Sequence, residues 1–249
     1  MKTPIFKALA FAAMASLATS GTAMAASKYS EVEVTDGGAI SGTLMAGDDV
    51  QAESKSYTIS KDTAVCGEGT REVNFVRVAD GHLLDAVVFL VKVKEGKPFD
   101  EATATLTLNQ EGCEFQPFLS VIRNKGEMTA LNSDPVLHNI HVYELIGKAR
   151  RTLLNVSQPN QGDEVTKEIK VRKGDGLKIE CDAHDFMHGF VFVAKNPYYA
   201  VVGEDGTFTI DNIPAGTYKI AVWQGQLGTK DMGEVEVSAG GETTIDLTY

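Results

Sequence analysis

Short runs of alternating apolar and polar residues repeat along almost the whole chain. Residues 32–34, 74–78, 86–93, 103–108, 168–171, 177–181 and 190–193 are rich in β-branched and aromatic side chains and fit a period of two. Glycine, aspartate and asparagine separate them, as in Asp36-Gly37-Gly38, Asp80-Gly81, Lys173-Gly174-Asp175-Gly176, Asp205-Gly206 and Ala239-Gly240-Gly241. Many short strands at this spacing predict an all-β fold of the sandwich type. The sole helical candidate, 148–154, is too weak to change this picture. Heptads, low-complexity tracts and tandem repeats are absent from the sequence.

The first residues change the setting. Lys2 and Lys7 precede an apolar stretch over 8–17, and Ala23-Met24-Ala25 offers a small-x-small cleavage pattern. This predicts a signal peptide over 1–25 and export, with a periplasmic location for the mature chain. The apolar stretch is too short to span a bilayer, and no later segment approaches the required length. The chain carries 23 Lys and Arg against 34 Asp and Glu, a formal charge of −11. Such a surface repels nucleic acid and anionic lipid, and it suits solubility or a basic protein partner.

An exported chain with three cysteines leaves one over. Cys66 and Cys113 lie in polar turns and form the natural pair, with a bridge involving Cys181 as the alternative. Residues 103–196 hold all the chemically suggestive side chains except His82. The stretch 197–249 is strand and turn. Its string from Gly206 to Tyr218 builds a hairpin in which Phe208, Ile210, Tyr218 and Ile220 alternate inward.

Cys181-Asp182-Ala183-His184-Asp185-Phe186-Met187 puts a thiol, an imidazole and a thioether within seven positions, between the predicted strands 177–181 and 190–193. A second segment, Asn132-Ser133-Asp134-Pro135-Val136-Leu137-His138-Asn139-Ile140-His141, adds an imidazole just ahead of another strand. Two His and a Cys in a trigonal set with a weak axial Met form the blue-copper site. Structural zinc sites are the chemical rival, but they use Cys and His and have no need of Met.

The loop 181–187, followed by His188-Gly189 and a strand, resembles the ligand loop of the amicyanins, a branch of the cupredoxins. Leu137-His138-Asn139-Ile140-His141 is similar to the upstream motif of that family, in which the first His binds copper and the second does not. The resemblance implies one type 1 copper held by His138, Cys181, His184 and Met187, with His141 as the substitute should His138 not serve. It also implies that Asn139 ties the two ligand loops together and that His184 is an exposed edge for electrons. Phe186 and Pro135 would then form an apolar docking patch. His188 stands where the family has a long basic residue, and the segment with Lys148-Ala149-Arg150-Arg151 is longer and more basic than usual.

Residues 38–44, 84–90 and 205–218 resemble strands of a carboxypeptidase regulatory-like (transthyretin-like) sandwich. The expected organisation is therefore a cupredoxin Greek-key sandwich over 103–196 inserted into a second small sandwich made of 28–102 and 197–249. The expected function is single-electron carriage between redox partners, with a c-type cytochrome or a dehydrogenase as the partner class. Copper delivery without electron transfer and a structural sandwich module are the alternatives. A second, substrate-binding copper would need His82, His141 and His188, which have no recognisable spacing, so the chain is expected not to be an enzyme.

Overall fold

The computed structural model describes Met1 and residues 29–249, so the expected signal peptide lies outside the described residues. The described residues form strands almost throughout, with one short helix at Thr63–Cys66 and a 3-10 turn at Glu101–Thr103. The all-β fold is as the alternation predicts.

Two sheets come from the middle of the chain. One runs Glu114–Gln116, Thr105–Glu111, Glu127–Asn132, Glu164–Glu168 in spatial order. The other runs Leu119–Arg123, His188–Ala194, Gly176–Glu180, His138–Ile146, Ala149–Gln158. Each mixes parallel and antiparallel pairs: Leu119–Arg123 runs parallel to His188–Ala194, and Glu127–Asn132 parallel to Thr105–Glu111.

Two further sheets come from the flanks. Tyr199–Val201, Ala86–Val91, Gly216–Gln224 and Gly228–Val237 form one. Thr207–Ile213, Gly38–Met45, His82–Leu83 and Val78–Ala79 form the other, with Glu242–Thr244 and Leu247–Thr248 added in parallel to Gly38–Met45.

In the sheet containing Ala86–Val91, that strand and the second half of Gly216–Gln224 are buried on both faces. Val87, Phe89, Ala221 and Trp223 belong to the apolar cluster of the middle sheets, whereas Ala86, Val88, Leu90, Ile220 and Val222 belong to the cluster of the flanking sheets. Successive residues of a strand point to opposite faces, so this strand must be apolar at every position, and its sequence is Ala-Val-Val-Phe-Leu-Val. His188–Ala194 is apolar throughout after its first residue for the same reason. Phe192 meets Phe89 with ring centroids 5.0 Å apart and Trp223 at 5.7 Å. Gly176 supplies the room: a Cβ there would collide with the Trp223 indole.

A hairpin of Glu53–Thr58 and Thr70–Val76 carries the short helix at its tip. Its buried side chains Tyr57, Ile59, Cys66, Val73 and Phe75 cluster with the middle sheets. The structure joins Cys66 to Cys113 and leaves Cys181 as a free, buried cysteine.

Two local expectations are corrected, and the weak helical candidate at 148–154 is a strand from Ala149 onward. Gly147, with φ 56°, and Lys148 form a two-residue turn, and Ala149–Gln158 returns as a strand against His138–Ile146. Residues 32–34 lie beyond the short strand Ser30–Glu31 and pair with no neighbour along a ladder. The ladder over 168–171 stops at Glu168, although Ile169 and Val171 remain buried.

Candidate metal centre

The site forms where two loops meet at one end of the middle sheets. Strands Gly176–Glu180 and His188–Ala194 pair antiparallel with Glu180 opposite His188, so residues 181–187 must turn back sharply. The turn is tied by Cys181 N to Met187 O at 3.3 Å and Met187 N to His184 O at 3.0 Å. His138 begins the strand His138–Ile146, opposite Gln158. The loop before it hangs on Asn132, which is wholly buried. The Asn132 Nδ2 donates to the carbonyls of Val136 (2.9 Å), Gln158 (3.0 Å) and Asn160 (3.2 Å), and its Oδ1 accepts from Asp134 N at 3.0 Å.

The four residues expected as ligands are buried, and three of them, His138, Cys181 and His184, meet here. His138 Nδ1 and His184 Nδ1 are 3.2 Å apart, and Cys181 Sγ is 3.8 Å from His184 Nδ1. One ligand atom from each of His138, Cys181 and His184 falls within 4.8 Å of the others. Met187 is 1% exposed and lies on the same turn. Asn139 joins the loops as the resemblance implied: its N–H donates to Cys181 Sγ at 3.3 Å, and its Oδ1 accepts from Asp182 N at 3.2 Å.

Each imidazole is held from behind by a carboxylate. His138 Nε2 lies 2.8 Å from Asp134 Oδ2, and His184 Nε2 lies 2.9 Å from Asp62 Oδ2. A neutral imidazole has one N–H and one lone pair, and the partner of one nitrogen fixes the role of the other. With each Nε2–H donated to a carboxylate, both Nδ1 atoms carry lone pairs, and these converge beside a buried thiol. Two lone pairs converging beside a buried thiol can receive a cation once the thiol gives up its proton, and carboxylate–histidine–metal relays are the usual way to orient such imidazoles. One thiol, two imidazoles and one thioether suit copper.

Burial would push the Asp134 carboxyl up. Donation from Cys113 N (2.8 Å), His138 and Gly112 N (2.8 Å) outweighs burial and holds it below the ordinary carboxylate range. Burial lowers the His184 imidazole despite the bond to Asp62. Burial raises the Cys181 thiol against the backbone N–H groups of Asn139, Ala183 and His184.

The other histidines are engaged elsewhere. His141 Nδ1 pairs with Asp182 at 3.0 Å, and its ring stacks on Tyr143 at 3.9 Å. His188 Nε2 meets the Tyr57 hydroxyl at 2.9 Å, and burial brings this imidazole down to about 4. Its ring lies 4.9 Å from that of Phe75. His82 sits in the flanking sheets against Gly206.

Two expectations about the surface are corrected. His184 is not an exposed edge: its side chain has no exposed area, and Asp62 from the hairpin tip covers its Nε2. Phe186 is buried under the Arg71 guanidinium, 5.0 Å from its centroid, and presents no patch. Pro135 is exposed, together with Leu137, and these two make the apolar surface beside the site. Sequence reasoning missed Asp62, Asp134 and Asn132. Asp134 stands four residues before His138, which is a readable signal. Asp62 is 122 residues from His184 and offers none.

Comparison with known proteins gives a second picture. The family model that matches is polysaccharide lyase family 4, domain II, over residues 189–245. It replaces the carboxypeptidase regulatory-like resemblance expected for part of that stretch. Two curated relatives are described as probable rhamnogalacturonate lyase B, from Aspergillus flavus and Aspergillus niger. Each is 28% identical over 115 residues, which is 45% of this chain. The chain spans 17% and 16% of those proteins' lengths.

Solved structures that resemble it include a purple cupredoxin from Nitrosopumilus maritimus. That match has 21% identity and a TM-score of 0.31, and covers 36% of this chain and 99% of the other. The reduced state of an amicyanin variant matches with 15% identity and a TM-score of 0.31, covering 43% and 98%. A copper-containing nitrite reductase from Thermus scotoductus SA-01 matches with 17% identity and a TM-score of 0.30, covering 36% and 22%.

The expectation that the chain is not an enzyme is corrected by these findings, since the curated relatives are lyases and the matching family model is a lyase domain. The matching stretch is strand and turn in a packed sandwich, and so it showed no catalytic pattern to the sequence reading.

Proposed function

We propose that the chain is an exported copper protein that holds one ion through His138, Cys181, His184 and Met187 and passes single electrons to and from a protein partner. The observation that carries this reading is the convergence of two imidazole Nδ1 atoms, 3.2 Å apart, beside the free thiol of Cys181. A copper ion in such a donor set supplies a one-electron couple with little rearrangement between its two states.

The protein's own contribution is to hold the set rigid and dry. Asp134 and Asp62 fix the two rings, Asn139 joins the two loops, and Phe186 and Met187 keep water out. Pro135 and Leu137 are the apolar contact nearest the site for a partner, with a c-type cytochrome or a redox dehydrogenase as the fitting class. In this reading the middle sheets form the copper-bearing sandwich, the flanking sheets form a second sandwich around it, and residues 1–25 direct the chain to the periplasm.

The test is the visible and paramagnetic resonance spectrum of the protein loaded with Cu(II), beside Cys181→Ser. An intense thiolate-to-copper band that the variant lacks is the expected result. A spectrum indifferent to Cys181 would sink the assignment.

A second reading is favoured by the match over 189–245: a role in the breakdown of rhamnogalacturonan, alone or as a module alongside a catalytic domain. Eliminative cleavage of that polysaccharide, followed by the absorbance of the unsaturated product, checks it. Retention on the immobilised polymer checks the module form.

A further inference from the structure

The hairpin tip that covers His184 is built as a fixture. Ile59 N donates to Gly69 O at 2.9 Å and closes the loop. Asp62 takes a left-handed conformation, φ 53° and ψ 30°, at the start of the helix Thr63–Cys66. Its backbone carbonyl accepts from Val65 N (2.9 Å) and Cys66 N (2.8 Å), which leaves the side chain free to face His184. Cys66 is bonded to Cys113, and both are buried. The Arg71 guanidinium donates to the carbonyls of Cys66 (2.8 Å) and Cys113 (2.6 Å).

The bridge lies against the site. The sulfurs of Cys66 and Cys113 and one ring nitrogen of His184 are within 4.8 Å of one another. Cys113 N also donates to Asp134, the carboxylate behind His138. A single covalent bond therefore joins the segment that carries Asp62 to the turn whose backbone N–H groups hold Asp134. The side chain of Asp62 is 39% exposed, whereas that of His184 is fully covered, so Asp62 is the outermost group on this path.

We propose that residues 59–69 are a cap that closes the His184 side of the copper site, with Asp62 as a positioning residue for the imidazole and the Cys66–Cys113 bridge as the tether. The inference rests on the copper reading and adds to it. The cap limits the approach of chelators and small anions to the metal from the His184 side.

The test compares wild type with Asp62→Gly and Asp62→Asn. Glycine removes the carboxylate and tolerates the positive φ. Asparagine keeps an oxygen that accepts from Nε2–H. In the copper-loaded protein, Asp62→Gly is expected to lose copper to a chelator about tenfold faster or more and to admit azide to the metal, as loss of such a support does elsewhere. Asp62→Asn stays near wild type.

In the metal-free protein, the His184 Nε2–H resonance persists in wild type and Asp62→Asn and exchanges with water in Asp62→Gly. Unchanged copper loss and azide access in Asp62→Gly would overturn the cap, and so would an unchanged Nε2–H. A wild type that shows no Cys181-dependent band defeats the copper reading instead, and the nuclear resonance still decides whether Asp62 covers His184.

Discussion

Replacing Glu144 by glutamine is expected to remove a large part of the protein's stability at neutral pH. Glu144 sits in the strand His138–Ile146 with no exposed side-chain area. One oxygen accepts from three successive backbone N–H groups, of Arg172 (2.7 Å), Lys173 (2.8 Å) and Gly174 (2.9 Å). The other accepts from the Arg151 guanidinium, with Nε at 3.0 Å. Burial alone would raise this carboxyl. The donors Lys173 N, Gly174 N, Arg151 and Arg172 N together outweigh burial and bring it from 4.5 down to about 2. At about 1.4 kcal/mol per unit, that fall corresponds to roughly 3 kcal/mol, as an upper figure. Glutamine keeps the shape and one acceptor, but its amide N–H groups face the guanidinium, donor against donor.

The sign of the pH dependence follows. A carboxyl whose value is depressed on folding stabilises fully above its unfolded value of 4.5, and the contribution is lost as pH falls through about 2. The gap between wild type and variant is therefore widest at neutral pH and closes in acid. Other groups titrate in both proteins and cancel in the difference. Urea unfolding followed by the fluorescence of Trp223, the single tryptophan, measures it at several pH values. A gap below about 1 kcal/mol at neutral pH, or one that stays constant into acid, would refute the reasoning.

Two further substitutions test the packing and the loop. Gly176→Ala should cost about 1–3 kcal/mol in urea unfolding, because the added methyl displaces the Trp223 indole from between two sheets. An unchanged midpoint would show that the indole has room to move. Asn132→Ala leaves three carbonyls and the Asp134 N–H without their partner and should cost about 2–3 kcal/mol. Because it loosens the segment carrying His138, it should also weaken copper binding in a competition titration, and full retention of affinity would separate the loop from the site.

The strands were legible where one face is wet and one dry, as at 207–213 and, from Thr105 onward, within 103–108, whose first residue closes a 3-10 turn. They were also legible where β-branched runs left no alternative, as in Ala86–Val91. The weak helical candidate at 148–154 is a strand in the fold from Ala149 onward. The turn at Gly147 and Lys148, which sets the register of the hairpin, is a backbone matter. The meeting of His138, Cys181 and His184 was legible because Cys181 and His184 lie within one short loop and His138 carries a local motif. The support behind His184 was not, since Asp62 reaches it only through the hairpin and the Cys66–Cys113 bridge. The lyase likeness was invisible for a different reason: it resides in a stretch of packed strands and turns, not in reactive side chains.

The sheet made of Tyr199–Val201, Ala86–Val91, Gly216–Gln224 and Gly228–Val237 gives one face to each apolar cluster. Its Phe89 and Trp223 side chains can be satisfied only by the layer that carries the Cys181 loop. A ligand held at that loop would therefore raise the melting temperature of strands that never touch it, and a single thermal transition for all the layers is the expected outcome of a calorimetric scan. Neither half can be cut away, or passed to another protein, without new polar residues on the surface it leaves bare.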